Sequence, residues 1–261
     1  MKKGIKVIIA GAIIIGIGLA VLLIALGLNG WSFTPDFTTE EFTSTQENTA
    51  LDVTLDAGSL KIEYHDADDI QISYPTAKSY KTEITESNGK LTVNINKHRW
   101  FTFGWGISSI PETVIRIPKD TIRNVEIKLN AGSATLADGA FDNVTINLNA
   151  GTLTTGKITE CNVLNVHVNA GTANIGGAQC NELLFKLNAG SANIRDIDSM
   201  ASTIKVNAGS AHLSFADAAE NYTASVNVSA GSCNGLSDRT GGEKRIDVKV
   251  NAGSVNVSFA P

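Results

Sequence analysis

The sequence is poor in the residues from which most enzyme and nucleic-acid sites are built. Of 261 residues, three are cysteine, four are histidine and five are proline. Cys161, Cys180 and Cys233 show neither metal-type spacing nor a disulfide framework. His65, His98, His167 and His212 have no ligand spacing. Lys and Arg number 21 against 26 Asp and Glu, a net charge of −5 that gives no general attraction to nucleic acid, and no nucleic-acid motif is present. There is no G-x-S-x-G, no P-loop and no Gly/Asp-rich calcium nonapeptide. Acid–base chemistry and calcium binding need carboxylates that converge, and here they do not. Asp138 and Asp196 share a repeat position but lie three repeats apart, Glu160, Glu182 and Asp217 occupy different positions, and Asp68 and Asp69 read as a solvated turn. No catalytic residue, cofactor or metal site is therefore expected, and the chain reads as a protein that is not an enzyme.

The first positive feature is Val7 to Leu28, 22 residues without a charge. At 1.5 Å per residue such a helix reaches about 33 Å, enough to cross a bilayer. Lys2, Lys3 and Lys6 precede it, while Asp36, Glu40, Glu41 and Glu47 come before the next basic residue, Lys61. The positive-inside rule puts the N-terminus in the cytoplasm and the rest outside, a single-pass cell-membrane topology with residues 7–28 in lipid. A cleaved signal peptide is the competing reading, and the run is longer than the usual apolar core of one. Residues 1–31 are thus expected to form the cytoplasmic tip and transmembrane anchor. Residues 32–48, rich in Thr, Ser and Glu and lacking periodicity, are expected to form a linker.

The remainder is governed by a repeat. A polar residue followed by Ala-Gly-Ser/Thr occurs eight times, with glycines at Gly58, Gly132, Gly151, Gly171, Gly190, Gly209, Gly231 and Gly253. From Gly132 onward the spacings are 19, 20, 19, 19, 22 and 22, whereas the first copy stands 74 residues apart. Three residues before each glycine every copy is aliphatic, from Leu55 and Leu129 to Val228 and Val250. Five before, every copy is apolar, and seven before, all but Ser202 are. Four before, every copy is polar, as at Lys128, His167, Lys205 and Lys249. This period-two alternation predicts a strand with one buried face. After the glycine the parity flips, with inward positions two and four residues later, as in Leu60 and Ile62 or Val255 and Val257. A corner at the glycine accounts for the flip, and the alanine before it is expected on the crowded inside of that corner. One such unit cannot cover its own apolar face, so the repeats must stack. The fold expected is all-β: a β-solenoid of about 19–22 residues per rung, preceded by one transmembrane helix. Residues 121–261 form its regular part and residues 49–120 an irregular N-terminal region or cap.

Stacking brings like residues into ladders. Asn130, Asn149, Asn169, Asn188, Asn207 and Asn251 form one, interrupted by Ser229, and the Ser/Thr after each glycine form another. Both read as structural, with a polar ligand groove as the alternative. In the irregular region, Asn88-Gly89 signals a hairpin between two alternating runs. Trp100, Phe101, Phe103 and Trp105 lie together between Arg99 and Ile110. They read either as a loop folded on the solenoid or as an exposed patch for a partner or membrane surface. Cys161 and Cys180 fall in one slot of adjacent rungs, also filled by Phe141, and are read as buried thiols or as a disulfide. The C-terminal strand, Val255 to Phe259, is expected at the end of the stack. Its edge is blunted by Pro261, covered by the N-terminal part or paired with a second molecule.

Taken together, several features resemble the "putative adhesin" family, domain of unknown function 4097. They are the anchor, the Thr/Glu-rich linker, the Leu-Asp-Ala-Gly-Ser-Leu-Lys-Ile block from Leu55, the Ile-Pro-Lys-Asp step at Ile117–Asp120 and the Ala-Gly-Ser/Thr rungs. The resemblance covers about Leu51 to Phe259. It implies a β-solenoid on a bacterial cell surface, acting as a binding protein or scaffold for envelope polymer, host surface or another protein. Some anchored members are similar to accessory proteins of envelope-stress operons, which gives the alternative role of a regulatory subunit beside a membrane protein. The family carries no established catalytic residues.

Overall fold

A computed structural model describes residues 37–77, 80–97 and 110–261 of the chain. The alternation becomes strand wherever the sequence predicts it. β1 is Thr38–Ser44, β2 Ala50–Leu55, β3 Gly58–His65, β4 Ile70–Thr76, β5 Tyr80–Ser87, β6 Lys90–Lys97 and β7 Thr113–Pro118. β8 is Asn124–Leu136, β9 Gly139–Ala140, β10 Asn143–Phe215, β11 Tyr222–Asn234 and β12 Lys244–Phe259. β10 is one hydrogen-bonded ribbon of 73 residues holding four successive rungs. Each rung is two legs that meet at the Ala-Gly corner, followed by a return segment. The rungs advance in step: Asp142 N–H donates to Arg123 O at 2.6 Å and Asn162 N–H to Asp142 O at 2.7 Å.

All eight corner glycines stack, but not in chain order. Gly58 pairs directly with Gly132, so the copy 74 residues away in sequence is the next rung in space. Gly132, Gly151, Gly171, Gly190 and Gly209 follow in turn. Beyond Gly209 the order reverses: Gly209 pairs with Gly253, and Gly253 with Gly231. After Phe215 the chain steps past one rung position, through a short 3-10 turn at Ala219–Asn221, to lay down β11 as the outermost rung. It then returns and inserts β12 between β10 and β11, parallel to both. The expectation that the C-terminal strand forms the end of the stack is therefore corrected: β12 is interior and β11 is the edge. The same swap removes the interruption in the asparagine ladder, because Ser229 belongs to the outermost rung.

The corner has a second correction. The alanines are on its outside: Ala150, Ala170, Ala189, Ala208, Ala230 and Ala252 are exposed. Between the last inward residue of the first leg and the first of the second, Asn and Ala both face solvent, and the parity flip is completed by glycine in a positive-φ conformation. For Gly190 φ is +123°, a region closed to most side chains. Ser202, the one polar residue at its inward position, is 1% exposed and shares a 2.6 Å hydrogen bond with buried Ser199, so its burial is satisfied.

The N-terminal region caps the stack by changing strand direction. β6 runs parallel to β2 and β7 parallel to β3, which makes them one more rung. β5 and β4 pair antiparallel to β6 and β7, and β1 pairs antiparallel to β4. The expected turn joins β5 to β6, with Ser87 opposite Lys90 and both Asn88 (φ 54°) and Gly89 (φ 71°) left-handed. Thr38–Ser44 is strand and not linker: its pairing with β4 runs from Thr38–Thr76 to Ser44–Ile70. Ser44 and Asn48 are buried beside Glu86, where Asn48 Nδ2 donates to Glu86 Oε1 at 2.8 Å. The span 7–28 and the aromatic segment with Trp100, Phe101, Phe103 and Trp105 lie outside the described residues. Among the described residues no helix is long and apolar enough to cross a membrane.

The core is one column of aliphatic side chains, from Leu51, Val53 and Leu55 to Ile246, Val248 and Val250. Aromatics close its C-terminal end. Phe215 meets Tyr222 edge-on at 5.1 Å and Phe259 in a stacked pair at 5.4 Å.

Candidate binding surface

The most regular exposed feature is the asparagine ladder along the Ala-Gly ridge. Asn149 Nδ2 donates to Asn130 Oδ1, Asn169 to Asn149, Asn188 to Asn169, Asn207 to Asn188 and Asn251 to Asn207, each at 2.6 Å. Asn130 Nδ2 in turn donates to Asp56 Oδ1 at 2.8 Å. The amide dipoles therefore align, and their positive end meets a carboxylate, as at the N-terminus of a capped helix. Each amide nitrogen has two hydrogens and spends one on the ladder. In the hydroxyl row, Ser133 donates to Ser59 at 2.9 Å, and Thr172 and Ser191 lie 3.2 Å apart.

Several titratable groups are tied to one another. Arg123 holds Asp142 at 2.7 Å and Glu160 at 3.5 Å across successive rungs. Lys244 pairs with Asp198 at 2.6 Å and also with Asp217, and lies 5.9 Å over the Tyr222 ring. Burial works against the Lys244 charge, and the two carboxylates outweigh it, so its pKa is raised. Burial pushes the Tyr222 phenol up to about 12. Among the described residues no three His, Cys, Asp or Glu side chains are grouped to hold a metal.

All three cysteines are free thiols. Cys161 and Cys180 are 3% and 7% exposed, in the interior slot also occupied by Phe141. Burial pushes their thiols up to about 11 and about 12. Since the thiolate is the reactive form, both are expected to stay unlabelled at pH 8 under native conditions. Cys233, on the outer rung and half-buried, should react first with a maleimide followed by mass spectrometry. Labelling of Cys161 or Cys180 at the rate of Cys233 would contradict this burial.

Among the described residues, the surface carries a cleft towards each end of the stack. One of about 650 Å³ lies at the N-terminal cap between Asn48, His65, Asp68, Lys119 and Asp120. The other, about 410 Å³, lies at the C-terminal end between Lys157, Gln179, Asp198, Phe215 and Phe259. The C-terminal edge is half covered. Ala224 and Arg239 exchange backbone hydrogen bonds of 3.0 Å and Val226 N–H donates to Asp238 Oδ1, whereas Val228 is 38% exposed. Sequence reasoning located the glycines and both ladders. It missed the row of outward lysines at Lys186, Lys205 and Lys249, because in sequence Asn227 separates the last two.

No curated protein matches the chain. Among solved structures, it is similar to a "putative adhesin" from Bacteroides fragilis at 14% identity, over 86% of this chain and 99% of that one, with a TM-score of 0.43. A "putative adhesin" from Parabacteroides merdae is similar at 13% identity, over 87% and 98%, with a TM-score of 0.43. A "putative cell adhesion protein" from Clostridium sporogenes is similar at 12% identity, over 85% and 100%, with a TM-score of 0.38. The profile of the Toastrack family, DUF4097, matches residues 48–261, the stacked region and its cap apart from β1, and the chain belongs to that family.

Proposed function

We propose that the protein is a membrane-anchored extracytoplasmic scaffold whose β-solenoid binds a polymer of the cell envelope. The span Val7 to Leu28 fixes it to the membrane, with the N-terminus cytoplasmic and the solenoid outside. One observation carries the reading. The outward side chains repeat rung by rung along the coil, as the six-member asparagine ladder does, and so offer a long linear surface. A surface of that form suits an extended polymer, which gains affinity from many weak contacts in register.

The test is co-sedimentation of the full detergent-solubilised chain with purified cell-wall polymer, against pull-down of solubilised membrane proteins from the same cells. Retention by the polymer, lost on competition with soluble polymer fragments, is the expected result. Failure to sediment, together with stoichiometric capture of one membrane signalling protein, would replace this reading by that of an envelope-stress accessory subunit.

A further inference from the structure

We propose that Lys186, Lys205 and Lys249 form a linear anion-binding strip on the outer face of the first leg, and that its ligand is an extended polymer carrying an oxyanion on each repeat, lying along the coil axis. This deepens the reading above and rests on it.

The strip exists because of the rung order. Lys205 and Lys249 are register partners on adjacent strands, and Lys186 is one rung further on, as the bond from Asn207 to Asn188 two residues along shows. All three side chains are exposed. Neighbouring rungs are about 4.8 Å apart. At that spacing two ammonium groups repel by about 0.9 kcal/mol even in bulk water, so like charges in adjacent register work against folding. The fold does not need them: the same position holds Asn147 and Asn227 in other rungs.

Nothing nearby neutralises the strip. Lys128, at the equivalent position nearer the cap, is paired with Glu126 at 2.6 Å. Among the described residues Lys186, Lys205 and Lys249 have no ion pair. The nearest acid along the Lys249 strand, Asp247, is held by Arg245 at 2.8 Å, and along the Lys186 strand Glu182 is four residues away. His167, next in the row, has its pKa lowered by burial and by the charge of Lys186, and its Nε2 lies 3.1 Å from Asn188 Nδ2. The row thus presents a positive potential on a molecule whose net charge is −5.

The ligand class follows from geometry. The three ammonium groups stand on an open leg, where a small anion would be solvated and gain little. A linear polyanion meets successive lysines at successive repeats, and each ammonium is a compact charge on a flexible stem that tolerates a repeat a few ångströms off the rung spacing. The asparagine ladder runs two residues away. Asn188 turns its second amide hydrogen to His167, whereas those of Asn207 and Asn251 are available to the same oxyanions.

The experiment measures binding of the full chain to polyglycerol phosphate, to polygalacturonate and to neutral dextran over a salt series. The triple variant Lys186→Gln, Lys205→Gln, Lys249→Gln is compared with Lys81→Gln, Lys119→Gln, Lys157→Gln, which removes equal charge elsewhere. The strip variant should lose at least tenfold in affinity for one or both polyanions, with a shallower dependence on salt, while the control triple and dextran arms do not change. Equal losses in both triples, wild-type affinity in the strip variant, or no binding of either polyanion by the wild type would each overturn the strip. Wall co-sedimentation that survives the strip substitutions would leave the scaffold reading standing and the strip refuted. Polyanion binding without wall co-sedimentation would do the reverse.

Discussion

Gly190→Ala is expected to destabilise the solenoid by about 4 kcal/mol or more, the range of the most damaging single substitutions. Two costs combine. At φ +123° the backbone is strained for any L-residue with a side chain. In addition, a Cβ there would overlap the carbonyl oxygen of Gly171 and come within 2.9 Å of its carbonyl carbon. Both neighbouring atoms are backbone within the stack, so relief requires the rungs to part and several ladder hydrogen bonds to lengthen at once. Gly241→Ala isolates the first cost: φ is +108° and nothing lies within 4 Å of the added carbon. That variant should lose only about 1–3 kcal/mol. Urea midpoints at unchanged m-value give both numbers. If the two variants fall within 1 kcal/mol of each other, close glycine stacking is not what holds the corner.

The contrast shows what the sequence can and cannot reveal. The alternation before each glycine and the parity flip after it are local consequences of a strand meeting a corner, so Leu129, Ile127 and Ala134 could be assigned inward without coordinates, and they are buried. Asn88-Gly89 was equally readable, because only left-handed backbone joins two strands so tightly. β1 was not. Of its residues only Phe42 and Ser44 turn inward, too few to establish a period in Thr-Thr-Glu-Glu-Phe-Thr-Ser. The pattern puts the alanines on the wrong side because it marks where the parity flips but not which way the corner bends. Rung order was hidden for a deeper reason. Val226 and Val248, or Val228 and Val250, are interchangeable as apolar knobs, so every order of identical rungs satisfies the same pattern. Only Ser229 distinguished them: a ladder of donors and acceptors loses least when its odd member is at the end. The lysine strip was invisible for the same reason, since its continuity appears only once β12 is placed beside β10.

That placement can be tested by chemistry that reads distance. With Cys233→Ser as background, Lys205→Cys combined with Lys249→Cys should close to a direct disulfide when the native protein is oxidised with diamide, whereas Lys205→Cys with Asn227→Cys should not. The first pair are register partners, and in the second β12 stands between the two strands. One rung is about 4.8 Å and two are about 9.6 Å, beyond what a direct disulfide can span. Hydrogen exchange should agree. Amides of Val248, Val250 and Val255 lie in a strand with a neighbour on each side and should outlast those of Val228 and Cys233 in β11, although β12 ends two residues from the C-terminus. Stacking in chain order demands the opposite, because the last strand laid down would then be the fraying edge. The order also gives β12 a mechanical role. It follows both β10 and β11 in the chain, yet it fills the rung position between them, so β11 can reach its native place only by docking onto β12 or by admitting it. Efficient bridging of residues 205 and 227 in the folded protein would reverse the rung order, and with it the continuity of the Lys186–Lys205–Lys249 row.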